Sequence, residues 1–223
     1  MPAILLDLNE GLFERDPQLT KLGVQIIKNS IDLIEEIGFE AFTFKKLASK
    51  IGSTEASIYR YFKNKHLLLL YLHSWYWAWL NYLIELRTQN LKTSEEKLQQ
   101  AISIIADSKD GAHAPEHINV QRLHHMLITE GSKVYHTRDV DSENKEKLFF
   151  EYKKLANYLT VLFQELKPNF PFPRVLASTM LEMANEQVFF AEHLPALTDV
   201  KIKGADYSSL EEALSYFVQK ILE

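Results

Sequence analysis

The sequence predicts an all-α fold, with a three-helix head carrying a helix-turn-helix followed by a helical body, about nine helices altogether. Three observations predict it. Apolar residues recur at spacings of three and four along almost the whole chain, and no stretch alternates as a half-buried strand would. Cap residues, glycines and prolines separate those runs at helix-length intervals. Of 223 residues, 46% are hydrophobic and 25% charged, the balance of an ordinary globular protein with a sizeable core.

Asp16-Pro17 reads as an N-cap followed by proline at the first helical position. Leu19, Leu22, Ile26, Ile27, Ile31, Leu33, Ile34 and Ile37 then recur at helical spacing up to Gly38, which ends the helix. Thr43 caps a short helix carrying Phe44, Leu47, Ala48 and Ile51, and Gly52 stops it. Thr54 caps a third with Ile58 and Phe62 on one side. A long helix follows from Lys65 to Leu91, and Thr93-x-x-Glu96 is a capping box opening a helix to Ala106. Another begins near Pro115 and ends before Gly131. The polar stretch 132–142 reads as a loop, followed by a long helix from Glu143 to Leu166. Pro168, Pro171 and Pro173 break the chain, and the last two helices run from Arg174 to His193 and from Ser209 to Leu222.

The absence of cysteine excludes disulfides and thiolate metal sites and fits a reducing cytosol. The N-terminus lacks the basic and apolar regions of a signal peptide. Leu67–Ile84 has about the length of a bilayer span, but His73, Ser74 and Asn81 interrupt it; it reads as a central core helix, with no membrane partner. The net charge of −5 is unevenly spread. Between Ala41 and His66 stand Lys45, Lys46, Lys50, Arg60, Lys63 and Lys65 against the single acid Glu55, a local +5. That concentration is what a phosphate footprint requires.

Thr43–Lys65, TFKKLASKIGSTEASIYRYFKNK, holds two short helices joined by a tight glycine turn. In a helix-turn-helix the first supports the second, whose N-terminal end enters the major groove. Ala48 is small where the helices must approach, and Leu47, Ile51 and Ile58 supply a shared core. A plain helical hairpin in an all-α protein would share this spacing.

The segment resembles the N-terminal domain of the TetR family of repressors. The resemblance lies in Gly38-Phe39, Thr43, Phe44, Lys45, Leu47-Ala48, Gly52, Thr54, Ile58-Tyr59, Phe62 and Asn64-Lys65, and covers roughly residues 22–70. It implies that Thr43 contacts phosphate and Lys45 phosphate or base edges. Thr54, Glu55 and Ser57 would face the groove, Tyr59 and Tyr61 would bond phosphates, and Lys65 matches the lysine opening helix four. Lys46 and Arg60 join them through the basic segment. Glu55 departs from the usual lysine or small polar residue; it either accepts from cytosine N4 or is merely solvated. The acidic N-terminal arm (Asp7, Glu10, Glu14, Asp16) argues against a minor-groove arm.

Helix four carries Trp75, Trp79 and Tyr82 on one face. Such rings suit either a pocket for an apolar or aromatic effector, completed by His124, Tyr152 and Tyr158, or plain core packing. His113, His117, His124 and His125 invite a metal reading, but no Asp completes the set, and neither metal nor cofactor is expected. Leu181 and Val188 on the penultimate helix, with Leu210, Leu214, Phe217 and Ile221 on the last, form apolar stripes that could close a two-fold dimer or face their own core.

The expected function is therefore sequence-specific transcriptional regulation in the cytoplasm by a homodimer. Residues 1–66 would bind a double-stranded DNA operator, and 67–223 would dimerise and bind a small-molecule effector that relieves repression. The alternatives are a helical scaffold using the helix-turn-helix only for packing, and a helical enzyme built around the histidines. No nucleophile motif or phosphate-cradling loop favours an enzyme, and no catalytic residue is expected.

Overall fold

The computed structural model describes residues 4–107, 111, 114–204 and 206–223. Among these the fold is all-α: α1 Lys21–Ala41, α2 Phe44–Ile51, α3 Glu55–Tyr59, α4 Lys65–Thr88, α5 Ser94–Ala106, α6 Val120–Glu130, α7 Ser132–Tyr135, α8 Val140–Lys145, α9 Phe150–Leu166, α10 Pro173–His193 and α11 Ser208–Leu222. The described residues contain no strand, only an isolated bridge between Lys203 and Asp206. None of the described helices is long and apolar enough to cross a membrane.

Local chemistry sets most boundaries. Thr20, Thr43, Thr54 and Asn119 each accept a backbone N–H from the first turn of the helix they precede. Thr93 and Glu96 form a complete capping box. Gly52 closes α2 in the left-handed region at φ 63°. Gly38, at φ 75°, breaks α1 so that its last residues form a separate corner.

The structure differs from the sequence expectation in four places. Asp16 caps only the short 3-10 turn Pro17–Leu19, and Thr20 starts α1. Pro115 opens a turn closed by the Ile118 N–H on its carbonyl, so α6 starts at Val120. Gly131 stays right-handed at φ −59°, so helix resumes after it and the expected loop 132–142 holds α7 and the start of α8. Finally, Lys147 at φ 62° separates α8 from α9, dividing the single helix expected there.

The chain falls into two compact units, whose boundaries differ from a simple cut after residue 66. One comprises 1–78 with 109–151, the other 79–108 with 152–223. In the first, α1 packs on α2 and on α6, and α2 packs on α3. Its core includes Ile26, Ile27, Ile31, Phe42, Leu47, Ile58, Phe62 and Leu123. The N-terminal segment belongs to this core through Leu8 and Leu12. Asn9 donates its amide to the carbonyls of Glu146 and Lys147 at 2.9 and 3.2 Å, so the acidic arm is folded back onto the protein. In the second unit, α5 packs on α10 and α11 around Leu98, Ile102, Leu159, Phe163, Leu181 and Leu214. Helix α4 runs from one unit into the other.

Candidate nucleic-acid interface

Helices α2 and α3 pack on each other through Leu47, Ala48 and Ile58, all buried, with Gly52 in the turn between them. Their outer surface exposes Thr43, Lys45, Lys46, Thr54, Glu55, Ala56, Tyr59 and Arg60. Thr43 accepts from the Lys46 N–H at 3.2 Å, which leaves its own hydroxyl proton free for an acceptor such as phosphate. The Thr54 and Ser57 hydroxyls share a hydrogen bond at 2.8 Å, and the Ser57 N–H donates to Thr54. Ser57 is half-buried, so Thr54 presents the more accessible oxygen. The Tyr59 ring packs edge-on to Phe44 at 5.0 Å and is 49% exposed, which holds its hydroxyl outward.

The basic residues divide sharply. Lys50 pairs with Glu36 at 3.2 Å and Lys63 with Glu14 at 3.0 Å. Lys46 donates to the Ala41 carbonyl at 2.8 Å. Lys45 and Arg60 are exposed, and neither forms a hydrogen bond or ion pair among the described residues. Their charge needs no competing partner displaced before it meets a polyanion.

Two expected contact residues are spent elsewhere. Tyr61 is 3% exposed and its hydroxyl shares a 2.8 Å hydrogen bond with Thr20, so it is a core residue of the head and cannot reach phosphate. Lys65 is half-buried; its ammonium donates to the carbonyls of Phe39, Glu40 and Phe42 at 2.9, 3.1 and 3.2 Å, capping the corner after Gly38. Sequence reasoning also missed the other side of that corner. The Phe39 N–H donates to Glu130 of α6 at 3.0 Å, Lys133 sits 2.6 Å from the second Glu130 oxygen, and Arg122 pairs with Asp32 and Glu35 of α1. Phe39 and Glu130, and Arg122 and Asp32, stand some ninety residues apart, and no local pattern announces those contacts.

The expected effector residues differ in burial and in the contacts they make. Trp75 and Trp79 are 1% and 0% exposed, so neither offers surface to a cavity. His124 is buried, its ring stacked on Tyr76 at 5.5 Å. Tyr82 is half-buried and stacks on Trp79 at 5.5 Å. Tyr152 donates to Glu182 at 2.7 Å. Tyr158 lines a groove with residues of α4 and α5 and donates to Thr88 at 3.2 Å.

The expected dimer residues also divide. Leu181, Val188, Leu210 and Leu214 are at most 1% exposed and belong to their own unit's core. Phe217 and Ile221 are 49% and 43% exposed, joined by Tyr216 at 57%. The helical period of α11 explains the split: 210, 214 and 218 point inward, 217 and 221 outward.

No group of three ligating side chains that could hold a metal occurs among the described residues. His117 lies in the turn before α6, off the helical face that carries His124, and burial foremost lowers its pKa. His113 lies outside the described residues.

The family model for bacterial regulatory proteins of the TetR family matches residues 26–72, which span the whole corner and helix-turn-helix. No curated protein matches. Among solved structures, AibR in complex with isovaleryl coenzyme A and operator DNA is similar at 15% identity and a TM-score of 0.58, over 87% of this chain and 95% of that one. The fatty acid degradation regulator FadR from Bacillus halodurans is similar at 20% identity and a TM-score of 0.58, over 89% and 93%. The superantigen PfiT is similar at 15% identity and a TM-score of 0.59, over 92% and 97%. At these identities the likeness establishes the fold, and function must be argued from the site. Residues 26–72 thus match the TetR family of bacterial regulatory proteins, within a chain whose fold is similar to these solved structures.

Proposed function

We propose that this chain is a dimeric, effector-controlled regulator that binds operator DNA through α2 and α3. The observation that carries the reading is the exposed set Thr43, Lys45, Thr54, Tyr59 and Arg60 on a helix-turn-helix, with Lys45 and Arg60 holding unpaired charge. Hydroxyls and cations of this kind position a protein on the phosphate backbone. Glu55 and Ala56, exposed at the start of α3, are the groups suited to base edges: a carboxylate accepts from cytosine N4 and a methyl packs on thymine. A helix-turn-helix kept only for packing would not need unpaired cations on its outer face. Lys46 adds a further donor, and Ser57 orients Thr54.

Two heads are needed to read a two-fold operator, with half-sites about 34–36 Å apart or a multiple of that. Tyr216, Phe217 and Ile221 supply an exposed apolar face for pairing two copies. Effector control draws support from the similarity to AibR, whose structure holds both isovaleryl coenzyme A and operator DNA. A bound effector that shifts α4 in the second unit would displace its start at Lys65, and with it the corner that sets α2 and α3. A hundredfold preference for the displaced state corresponds to about 2.7 kcal/mol of coupling, and DNA must weaken effector binding equally. The reading is of a cytoplasmic repressor rather than an enzyme.

Selection from a random duplex library tests it. Enrichment of a two-fold symmetric sequence is expected. Recovery of unselected sequence by a folded dimer would refute the reading.

A further inference from the structure

One face each of α4, α5 and α9, all within the second unit, encloses a groove of about 480 Å³. Its apolar lining is Ile84, Val161 and the ring of Tyr158, beside the polar Asn81, Thr88 and Gln89. The Tyr158 hydroxyl donates to Thr88, and Thr88 donates to the Ile84 carbonyl at 2.7 Å, so these hydroxyl protons are already used. The free donors are at the rim. Lys97 of α5 and Lys154 of α9 face the groove, and Asn157 adds a carboxamide one turn from Lys154. None of these three forms a hydrogen bond or ion pair among the described residues. Glu85 is the one carboxylate in the lining, leaving an excess of one positive charge.

A partly apolar trough edged by unspent cationic donors selects an amphipathic anion: the apolar lining takes the apolar body and the lysines take the charge. We infer that this groove binds a small molecule with an apolar chain or ring and a single carboxylate or phosphate head, held by Lys97 and Lys154. The assignment rests on the reading of the chain as effector-controlled, and it moves the effector away from the buried rings of Trp75 and Trp79.

Calorimetric titration of the full-length protein with decanoate, decyl phosphate, decanol and inorganic phosphate tests it, alongside a Lys97→Met/Lys154→Met variant and a Val161→Asp variant. Decanoate or decyl phosphate is expected to bind at least tenfold more tightly than decanol, and inorganic phosphate alone to be weak. Whichever of the two binds better identifies the head group. The lysine pair variant should lose at least tenfold for the anion while its decanol binding stays within twofold. Val161→Asp should weaken every chain-bearing probe. Thermal melting of both variants within a few degrees of the parent shows that they are folded. Equal binding of anion and alcohol, unchanged anion binding in the lysine variant, or no binding by any probe would overturn the inference. DNA affinity of the ligand-free protein is measured separately on a selected duplex. Its failure would count against the regulator reading, whereas failure of the titrations alone would count only against this groove.

Discussion

The backbone N–H of Phe39 and the carboxylate of Glu130 meet at 3.0 Å, buried, across 91 positions of sequence. The contact falls one residue after the Gly38 kink, where the chain leaves α1 for the helix-turn-helix. Lys65 caps the carbonyls of the same corner. The orientation of α2 and α3 is thus fixed by side chains from α4 and α6 together. Glu130→Ala leaves a buried N–H unpaired and should cost about 1–3 kcal/mol in urea unfolding, whereas Glu130→Gln retains an acceptor and should cost less. Equal stability of Glu130→Ala and the parent would contradict the assignment.

Lys65 separates capping from phosphate contact. Lys65→Ala should destabilise the fold by about 1.5–3 kcal/mol, as the loss of hydrogen bonds from a charged donor does. Lys45→Ala and Arg60→Ala should leave stability nearly unchanged and each lower the slope of log affinity against log salt by about 1. Denaturation curves and binding isotherms at several salt concentrations distinguish the two effects. A lowered slope with intact stability in Lys65→Ala would show that this lysine contacts DNA after all.

The proposed pairing face and the core separate on α11, with Phe217 and Ile221 exposed and Leu214 buried. Phe217→Asp with Ile221→Asp should convert the dimer to a folded monomer in sedimentation. Leu214→Ala, within the core, should instead cost about 2–5 kcal/mol of stability. A double aspartate variant that still sediments as a dimer would place the interface elsewhere.

His73 makes stability depend on pH. Burial, its main perturbation, lowers its pKa from 6.5 to about 4, and the Nδ1 lies 3.0 Å from the Leu69 carbonyl. Above pH 6.5 the ring is neutral in folded and unfolded chains alike. Between 6.5 and 4 the unfolded chain takes up a proton that the folded chain refuses, so stability falls as pH falls, by about 3 kcal/mol at most. His73→Gln should flatten that part of the profile, read from urea midpoints between pH 7 and 4.5. An identical profile in the variant would exclude His73 as the source.

The elements legible in the sequence were those governed by local chemistry. Thr43, Thr54, Gly52 and the Thr93–Glu96 box mark helix ends because a cap is satisfied within three or four residues. What misled were positions whose meaning depends on distant partners or on a backbone angle. Gly131 looked like a helix stop, yet it stays right-handed and helix resumes after it. Tyr61 and Lys65 sit in register with phosphate-contacting residues, but Thr20 and the carbonyls of Phe39, Glu40 and Phe42 claim them first. Whether the rings of α4 form a pocket wall or a core depends on neighbours supplied by other helices.

The most direct test of DNA binding through α2 and α3 is equilibrium titration of the folded dimer with a selected duplex and its scrambled counterpart, each across a range of salt. The selected duplex is expected to bind about 10³-fold or more tightly, with affinity falling steeply as salt rises. Lys45→Ala and Arg60→Ala should each weaken both duplexes. Equal affinity for selected and scrambled duplexes, unaffected by those two substitutions, would contradict the account.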